Sequence, residues 1–329
     1  MNHPPVCPII AISAAMVLMA FPAAGANTDD GSPLEATTYT FKEVEGLAIE
    51  ADVYRPAGEQ PRPVLVWIHG GALVTGTRTN VPGQLLELAR QERYVLVSID
   101  YRLAPEVKAT AIVEDLRDAL TWIRQDGPRL FQADVSRLVV SGGSAGGYLT
   151  MMAGCCVDPP PTALVAYWGY GDVDGDWLCE PSDFYRNETP IVTQEVALQA
   201  VGGRVISGTE SPETAQARGQ YYRYLRQNGL WTREVTGFDP ATQRGELDAL
   251  CPVRNITPDY PPILMIHGTA DTDVPYEKSA DMASELKRHK ATHELLTVEG
   301  AGHGLSGGDP TKVQAAHDRA VQFIREHME

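Results

Sequence analysis

The chain has 329 residues, enough for one large α/β domain or two small ones. With 43% hydrophobic and 21% charged residues it has the composition of a globular protein with a full core, which argues against extended disorder. The formal net charge of −16, spread without long runs, argues against nucleic acid as a partner, because a polyanion needs basic patches.

The first segment, Val6 to Ala26 (VCPIIAISAAMVLMAFPAAGA), is apolar and rich in small residues, and polar NTDDGS follows it. Ala24-Gly25-Ala26 forms an A-x-A cleavage pattern, so 1–26 reads as a secretory signal cut after Ala26, giving a secreted or periplasmic protein. Pro8, Pro22 and the small-residue end argue against an uncleaved anchor. No later stretch is apolar and long enough to span a bilayer, so no stable membrane anchoring is expected. Residues 27–46 read as a polar linker, and 47–329 as a single folded domain. LAIEADVYRP, from Leu47, alternates as a strand does, and RPVLVWIH, from Arg62, is the continuous apolar run of a buried one. QLLELAR is a helical piece, and YVLVSIDY, from Tyr94, is the next buried strand. Ile112, Leu116, Leu120 and Ile123 recur at helical spacing. RLVVS is a strand, a helix follows Ser144, and ALVAYWG, from Ala163, is another strand.

From about 172 to 259 the alternation stops, and the sequence turns polar and rich in Tyr and Trp, with helical pieces near TQEVALQAV and ETAQARGQYYRYLRQNG. Regular order returns with the strand PPILMIHG, a helix from Lys278 to His289, the strand HELLTVEG and a last helix from about Thr311 to His327. Strands alternating with helices predict an α/β fold, a mostly parallel sheet covered on both faces, with 172–259 as an insertion above it. Four cysteines remain after cleavage: Cys155, Cys156, Cys179 and Cys251. An even number in an exported protein permits disulfides, in three possible pairings. Cys179 and Cys251 lie near the two ends of the insertion and suit a clasp, whereas Cys155 and Cys156 suit core packing on the helix after Ser144. No cysteine or histidine group has zinc-ligand spacing.

In parallel sheets, function gathers in the loops after the carboxyl ends of strands. Four such loops carry unusual residues. Gly142-Gly143-Ser144-Ala145-Gly146 is a G-x-S-x-G, the turn that displays a nucleophile and brings the Ala145 N–H, at a helix start, beside it. A glycine-rich phosphate turn is the alternative, but it needs a downstream Lys or a G-x-G-x-x-G register. HGGA (His69 to Ala72) is a loop whose N–H groups suit an oxyanion, with Gly71 and Ala72 as donors, Gly70 as a further candidate and His69 as a structural support. HGTADTDVP holds two carboxylates, Asp271 and Asp273, either of which would orient a histidine; the rival, a metal pair, lacks further ligands. EGAGHG presents His303 between glycines after the last predicted strand. Ser, Asp and His in that chain order, with an oxyanion loop before the Ser, point to nucleophilic catalysis with His303 as base, which needs no cofactor and no metal.

HGGA, DYRLAPE (Asp100 to Glu106) and GGSAGG together resemble the α/β-hydrolase family, and within it the hormone-sensitive-lipase-like carboxylesterases and their secreted bacterial relatives. The resemblance runs from about Leu47 to the C-terminus, the insertion excepted. It implies a serine hydrolase with Ser144 as nucleophile, His303 as base and Asp271, three residues before the Val-Pro of D-x-x-V-P, as acid. It makes Arg102 and Glu106 scaffold residues and the insertion a cap. Trp168, Tyr170, Trp177, Phe184, Tyr185 and Trp231 are then candidates for its pocket or its own core. Gly143 stands where the family often has an acidic residue, and Ala72 where many members have a third Gly; the former resembles feruloyl-esterase-like, formamidase-like and peptidase-like branches. The expected activity is cleavage of carboxylic esters, small or polymer-borne, through an acyl-enzyme. The alternatives are amide cleavage of the acylaminoacyl-peptidase or formamidase kind, and a non-catalytic binding protein on the same scaffold. The residues give no oligomeric state.

Overall fold

The computed structural model describes residues 34–209 and 211–329; the expected signal, 1–26, lies outside them. Its strands are β1 (Ala36–Val44), β2 (Leu47–Tyr54), β3 (Arg62–Ile68), β4 (Val95–Ile99), β5 (Ala133–Gly143), β6 (Ala163–Tyr167), β7 (Ile263–Gly268) and β8 (His293–Val298). They form one sheet in the order β1-β2-β4-β3-β5-β6-β7-β8. β1 and β4 each pair antiparallel with β2, and every other neighbouring pair is parallel. Helices α1 (Gly83–Glu92), α2 (Ala109–Phe131) and α3 (Ala145–Cys156) separate the first strands of the parallel part. Between β6 and β7 come α4 (Asp176–Cys179), α5 (Asp183–Asn187), α6 (Gln194–Leu198), α7 (Pro212–Asn228), α8 (Trp231–Thr236) and α9 (Arg244–Asp248). α10 (Glu277–His289) follows β7, and α11 (Pro310–Glu326) follows β8.

The continuous apolar strands are explained by two cores. Val64, Val66 and Ile68 of β3 pack with Ile112, Leu116 and Leu120 of α2, while the intervening Leu65 and Trp67 pack with Leu85 and Leu88 of α1 and Phe323 of α11. Alternate residues of one strand therefore feed opposite faces, and Val64 to Ile68 is apolar throughout. This is the α/β-hydrolase arrangement, a mostly parallel sheet with helices on both sides.

Two expectations are corrected. The polar linker contains β1, an edge strand: Tyr39 and Phe41 alternate with exposed Thr38 and Thr40, and their rings lie 5.8 and 6.1 Å from that of Trp122 on α2. The period-2 pattern was present, but threonines and charges masked its apolar half. The clasp between Cys179 and Cys251 does not form, and Cys155, Cys156, Cys179 and Cys251 are all free. Cys179 Sγ faces Thr232 Oγ1, and Cys251 Sγ, buried, lies between Asp174 and Arg254.

The insertion is fastened to the sheet loops by buried polar groups. Arg218 on α7 is 2% exposed; its Nη1 donates to Val74 O and Ala104 O at 2.9 Å each, and its Nη2 donates to Glu106 Oε2 at 2.6 Å. Trp231 Nε1, at the start of α8, donates to Ala72 O at 3.1 Å. Arg102 pairs instead with Asp115 of α2 at 2.7 Å, so the DYRLAPE segment is braced at both ends.

Candidate active site

Ser144 follows β5 with φ 56° and ψ −120°, a sparsely populated conformation for a residue with a side chain. Its flanking glycines are sterically required. A Cβ on Gly146 would lie 2.0 Å from Ile68 O, and one on Gly142 would lie 2.3 Å from Gly146 O. The tight turn thus holds α3 against the end of β3 and lifts the Ser144 side chain above the sheet. Gly143 is different: the Trp168 ring occupies the space beside it, with Nε1 3.4 Å from where a Cβ would stand.

His303, after β8, and Asp271, after β7, complete a hydrogen-bonded row. Ser144 Oγ lies 3.1 Å from His303 Nε2, and His303 Nδ1 lies 2.8 Å from Asp271 Oδ2. Nδ1 faces a carboxylate and therefore carries the proton; Nε2 is left as an acceptor for the serine hydroxyl. Asp271 is heavily partnered. Its Oδ1 accepts from the N–H groups of Asp273 and Val274, both at 2.9 Å, and its Oδ2 also lies 3.3 Å from His267 Nε2. His267 Nε2 is 3.0 Å from Val274 O as well, so it is a donor, and Nδ1 accepts from Ser279 Oγ at 2.7 Å. Burial opposes ionisation of Asp271, but the hydrogen bonds from His267 and His303 outweigh it and hold the carboxyl well below the usual range. Enclosure disfavours the His303 cation, but the negative charges of Asp273 and Asp271 prevail and raise its proton affinity.

The HGGA loop lies beside this row. A Cβ on Gly70 would be 2.8 Å from Gly143 O and 3.2 Å from Ser144 Cβ, so Gly70 is the loop residue that abuts the turn. Gly71 has φ +113°, and a Cβ there would strike Thr75 O at 2.1 Å, so a glycine is required. Ala72 and Leu73 also have positive φ, 57° and 63°. The N–H groups of Gly70, Gly71, Ala72 and Ala145 donate to no acceptor among the described residues. His69 is a support: its Nδ1 donates to Gly70 O at 2.8 Å, and its ring stacks on Tyr101 with centroids 4.3 Å apart. Burial pushes its pKa down to about 4, so it stays neutral.

The structure thus brings Ser144, His303 and Asp271 together; Ala145 follows Ser144 directly, and the loop that carries Gly71 and Ala72 abuts the turn through Gly70. Asp273, the rival acid, is on the other side of the ring, 3.6 Å from His303 Nε2. Of the candidate aromatics, Tyr170 and Trp231 are buried against each other and against Tyr148 and Trp177, a core for the insertion. Trp168 meets the His303 ring edge-on at 6.3 Å, and Tyr185 reaches Asp273. Arg218, Tyr222 and Arg226 were not singled out by any motif, although their spacing of four in RGQYYRYLR marks one face of α7. His267 showed in the sequence only as a histidine at a strand end, with no role attached. Among the described residues no cluster of His, Cys, Asp or Glu is arranged to hold a metal ion, and no helix is long and apolar enough to cross a membrane.

A sheet of this order, carrying such a row at the carboxyl ends of its strands, defines an α/β hydrolase. Two family models match parts of the chain: the BD-FAE model matches residues 51–160, and the prolyl oligopeptidase family model matches residues 220–329. A protein of unknown function from Staphylococcus aureus has the same fold, with a TM-score of 0.71 at 20% identity, over 89% of this chain and 100% of that one. A thermophilic esterase of Thermogutta terrifontis superimposes with a TM-score of 0.60 at 23% identity, over 88% of this chain and 92% of the esterase. A non-reducing polyketide synthase of Penicillium roqueforti, adrD, is 26% identical over 341 residues, which take in 88% of this chain but 14% of the synthase. The chain therefore spans only a small part of the length of such curated relatives.

Proposed function

We propose that this α/β hydrolase is a serine hydrolase that cleaves carboxylic esters through an acyl-enzyme. The observation that carries the reading is the row Ser144 Oγ–His303 Nε2, 3.1 Å, and His303 Nδ1–Asp271 Oδ2, 2.8 Å, beside N–H groups that have no acceptor of their own. Ser144 attacks the ester carbonyl and passes its proton to His303 Nε2. Asp271 holds the ring and balances its charge. Gly71, Ala72 and Ala145, with Gly70 adjoining, donate to the oxyanion; each such donor contributes about 3 kcal/mol to the barrier in related chemistry. His303 then protonates the leaving alcohol, and water, deprotonated by the same nitrogen, releases the acid. Similarity to the Thermogutta terrifontis esterase supports the ester reading, as does the BD-FAE match. The match to the prolyl oligopeptidase family supports a second reading, amide cleavage at the same serine. We also propose export, from the A-x-A pattern ending at Ala26.

Parallel assays on a nitrophenyl acyl ester and an aminoacyl anilide separate the two. Faster ester turnover, lost by about 10⁶-fold in Ser144→Ala, supports the first reading. Anilide cleavage as the dominant activity supports the second, and neither activity points to a binding protein.

A further inference from the structure

Two carboxylates face the ring of His303, and the reaction as described uses one. Asp273 Oδ2 stands 3.6 Å from His303 Nε2, the nitrogen that meets Ser144. The other oxygen of Asp273 is gripped from the insertion. Oδ1 accepts from Arg226 Nη1 at 2.7 Å, from Tyr222 OH at 2.5 Å and from Tyr185 OH at 2.9 Å. Arg226 Nη1 also donates to Asp273 O at 3.0 Å and to Tyr222 OH at 2.6 Å. The Arg226 guanidinium packs over the rings of Trp177 and Tyr185, and the residue is 2% exposed, so this is not a solvated surface pair. No side chain or backbone N–H of the described residues donates a hydrogen bond to Oδ2, which leaves it to His303.

We propose that Asp273 is a positioning residue for Nε2 of His303, the nitrogen that takes up the Ser144 proton, aimed by α5 and α7 of the insertion and stabilising the imidazolium formed when Ser144 reacts. The inference rests on the serine-hydrolase reading. In the resting state Nε2 is unprotonated, and its lone pair gains nothing from a nearby carboxylate. Once the Ser144 proton has moved to Nε2, as the Oγ–carbonyl carbon bond forms, the ring is a cation between Asp271 at Nδ1 and Asp273 at Nε2. An interaction absent at rest and present in the charged state accelerates the step. The proton then leaves to the alcohol oxygen as the ester bond breaks, and both carboxylates remain ionised. The remaining groups around the ring are Ser144, the uncharged Trp168 and, behind the carboxylates, His267 and Arg226. Arg226 moderates Asp273, so the way the insertion is seated bears on the proton affinity of His303.

The test reads that proton affinity directly, by ¹⁵N-histidine NMR titration of His303 in the Ser144→Ala protein, with no substrate present. Adding Asp273→Asn, which retains an acceptor for Arg226 and the tyrosines, lowers the His303 pKa by about one unit. Adding Arg226→Gln, which exposes the ring to an uncompensated carboxylate, raises it, and Arg226→Lys leaves it near the starting value. With Ser144 intact, the acid limb of kcat/KM moves in the same directions. A pKa unchanged or raised in Asp273→Asn overturns the proposal, and that variant decides the matter alone if Arg226→Gln does not fold. A protein that shows the NMR shifts but hydrolyses neither ester nor anilide loses the hydrolase reading only. One that turns over ester without the shifts loses the assignment of Asp273 only.

Discussion

Replacing Arg218 by Ala tests how the insertion is held. Its guanidinium is 2% exposed and donates to Val74 O, Ala104 O and Glu106 Oε2. Removal leaves two carbonyls and a buried carboxylate without their donor; among the described residues Glu106, whose side chain is 4% exposed, then keeps only the Gly202 N–H at 2.9 Å. Breaking one side of a buried pair costs about 3–5 kcal/mol. For a chain of this size, at about 2–4 °C per kcal/mol, the melting temperature falls by about 10 °C. Val74 O lies just after HGGA and Ala104 O lies within DYRLAPE, so kcat/KM falls as well. Differential scanning calorimetry at pH 7 measures the first effect and nitrophenyl ester turnover the second. Arg218→Met combined with Glu106→Gln should be clearly more stable than the sum of the single changes predicts, because no buried charge is left alone. A single variant melting within about 2 °C of the wild type, or strict additivity in the double, refutes the argument.

Gly146→Ala places a Cβ 2.0 Å from Ile68 O, a backbone atom that cannot yield; it is expected to cost about 3 kcal/mol or more and to abolish activity, measured by melting and turnover together. His69, with its pKa lowered to about 4, binds a proton in the unfolded state before the folded one as pH falls below about 6.5. Wild-type stability therefore drops between those values, by about 3 kcal/mol from this residue, and His69→Gln flattens that acid limb in a pH series of melting temperatures. The four free cysteines predict that reducing agent leaves the melting temperature unchanged and that unreduced peptide maps contain no cystine.

What the sequence revealed, and what it hid, follows from the range of each interaction. The core strands were legible because burial on both faces leaves uninterrupted apolar runs, as in Val64 to Ile68. Ser144 and His303 were legible because the backbone around each demands glycine, which punctuates the sequence. The choice between Asp271 and Asp273 was not legible from the residues alone: two places apart on one loop, they take opposite sides of one imidazole. Resemblance to D-x-x-V-P gave Asp271, but the place of Asp273 depends on Arg226, Tyr222 and Tyr185, which come from distant helices. β1 was hidden by Thr and charged residues on its exposed face, and the short helices of the insertion carry too few turns to show a period.

The central claim is that Ser144 is a nucleophile activated by His303. Intact-mass analysis after treatment with a fluorophosphonate measures this most directly. The account predicts a single adduct, mapped to the Ser144 peptide, absent in Ser144→Ala and slowed by orders of magnitude in His303→Ala. No adduct on the folded wild-type protein, or one that persists in Ser144→Ala, would contradict it.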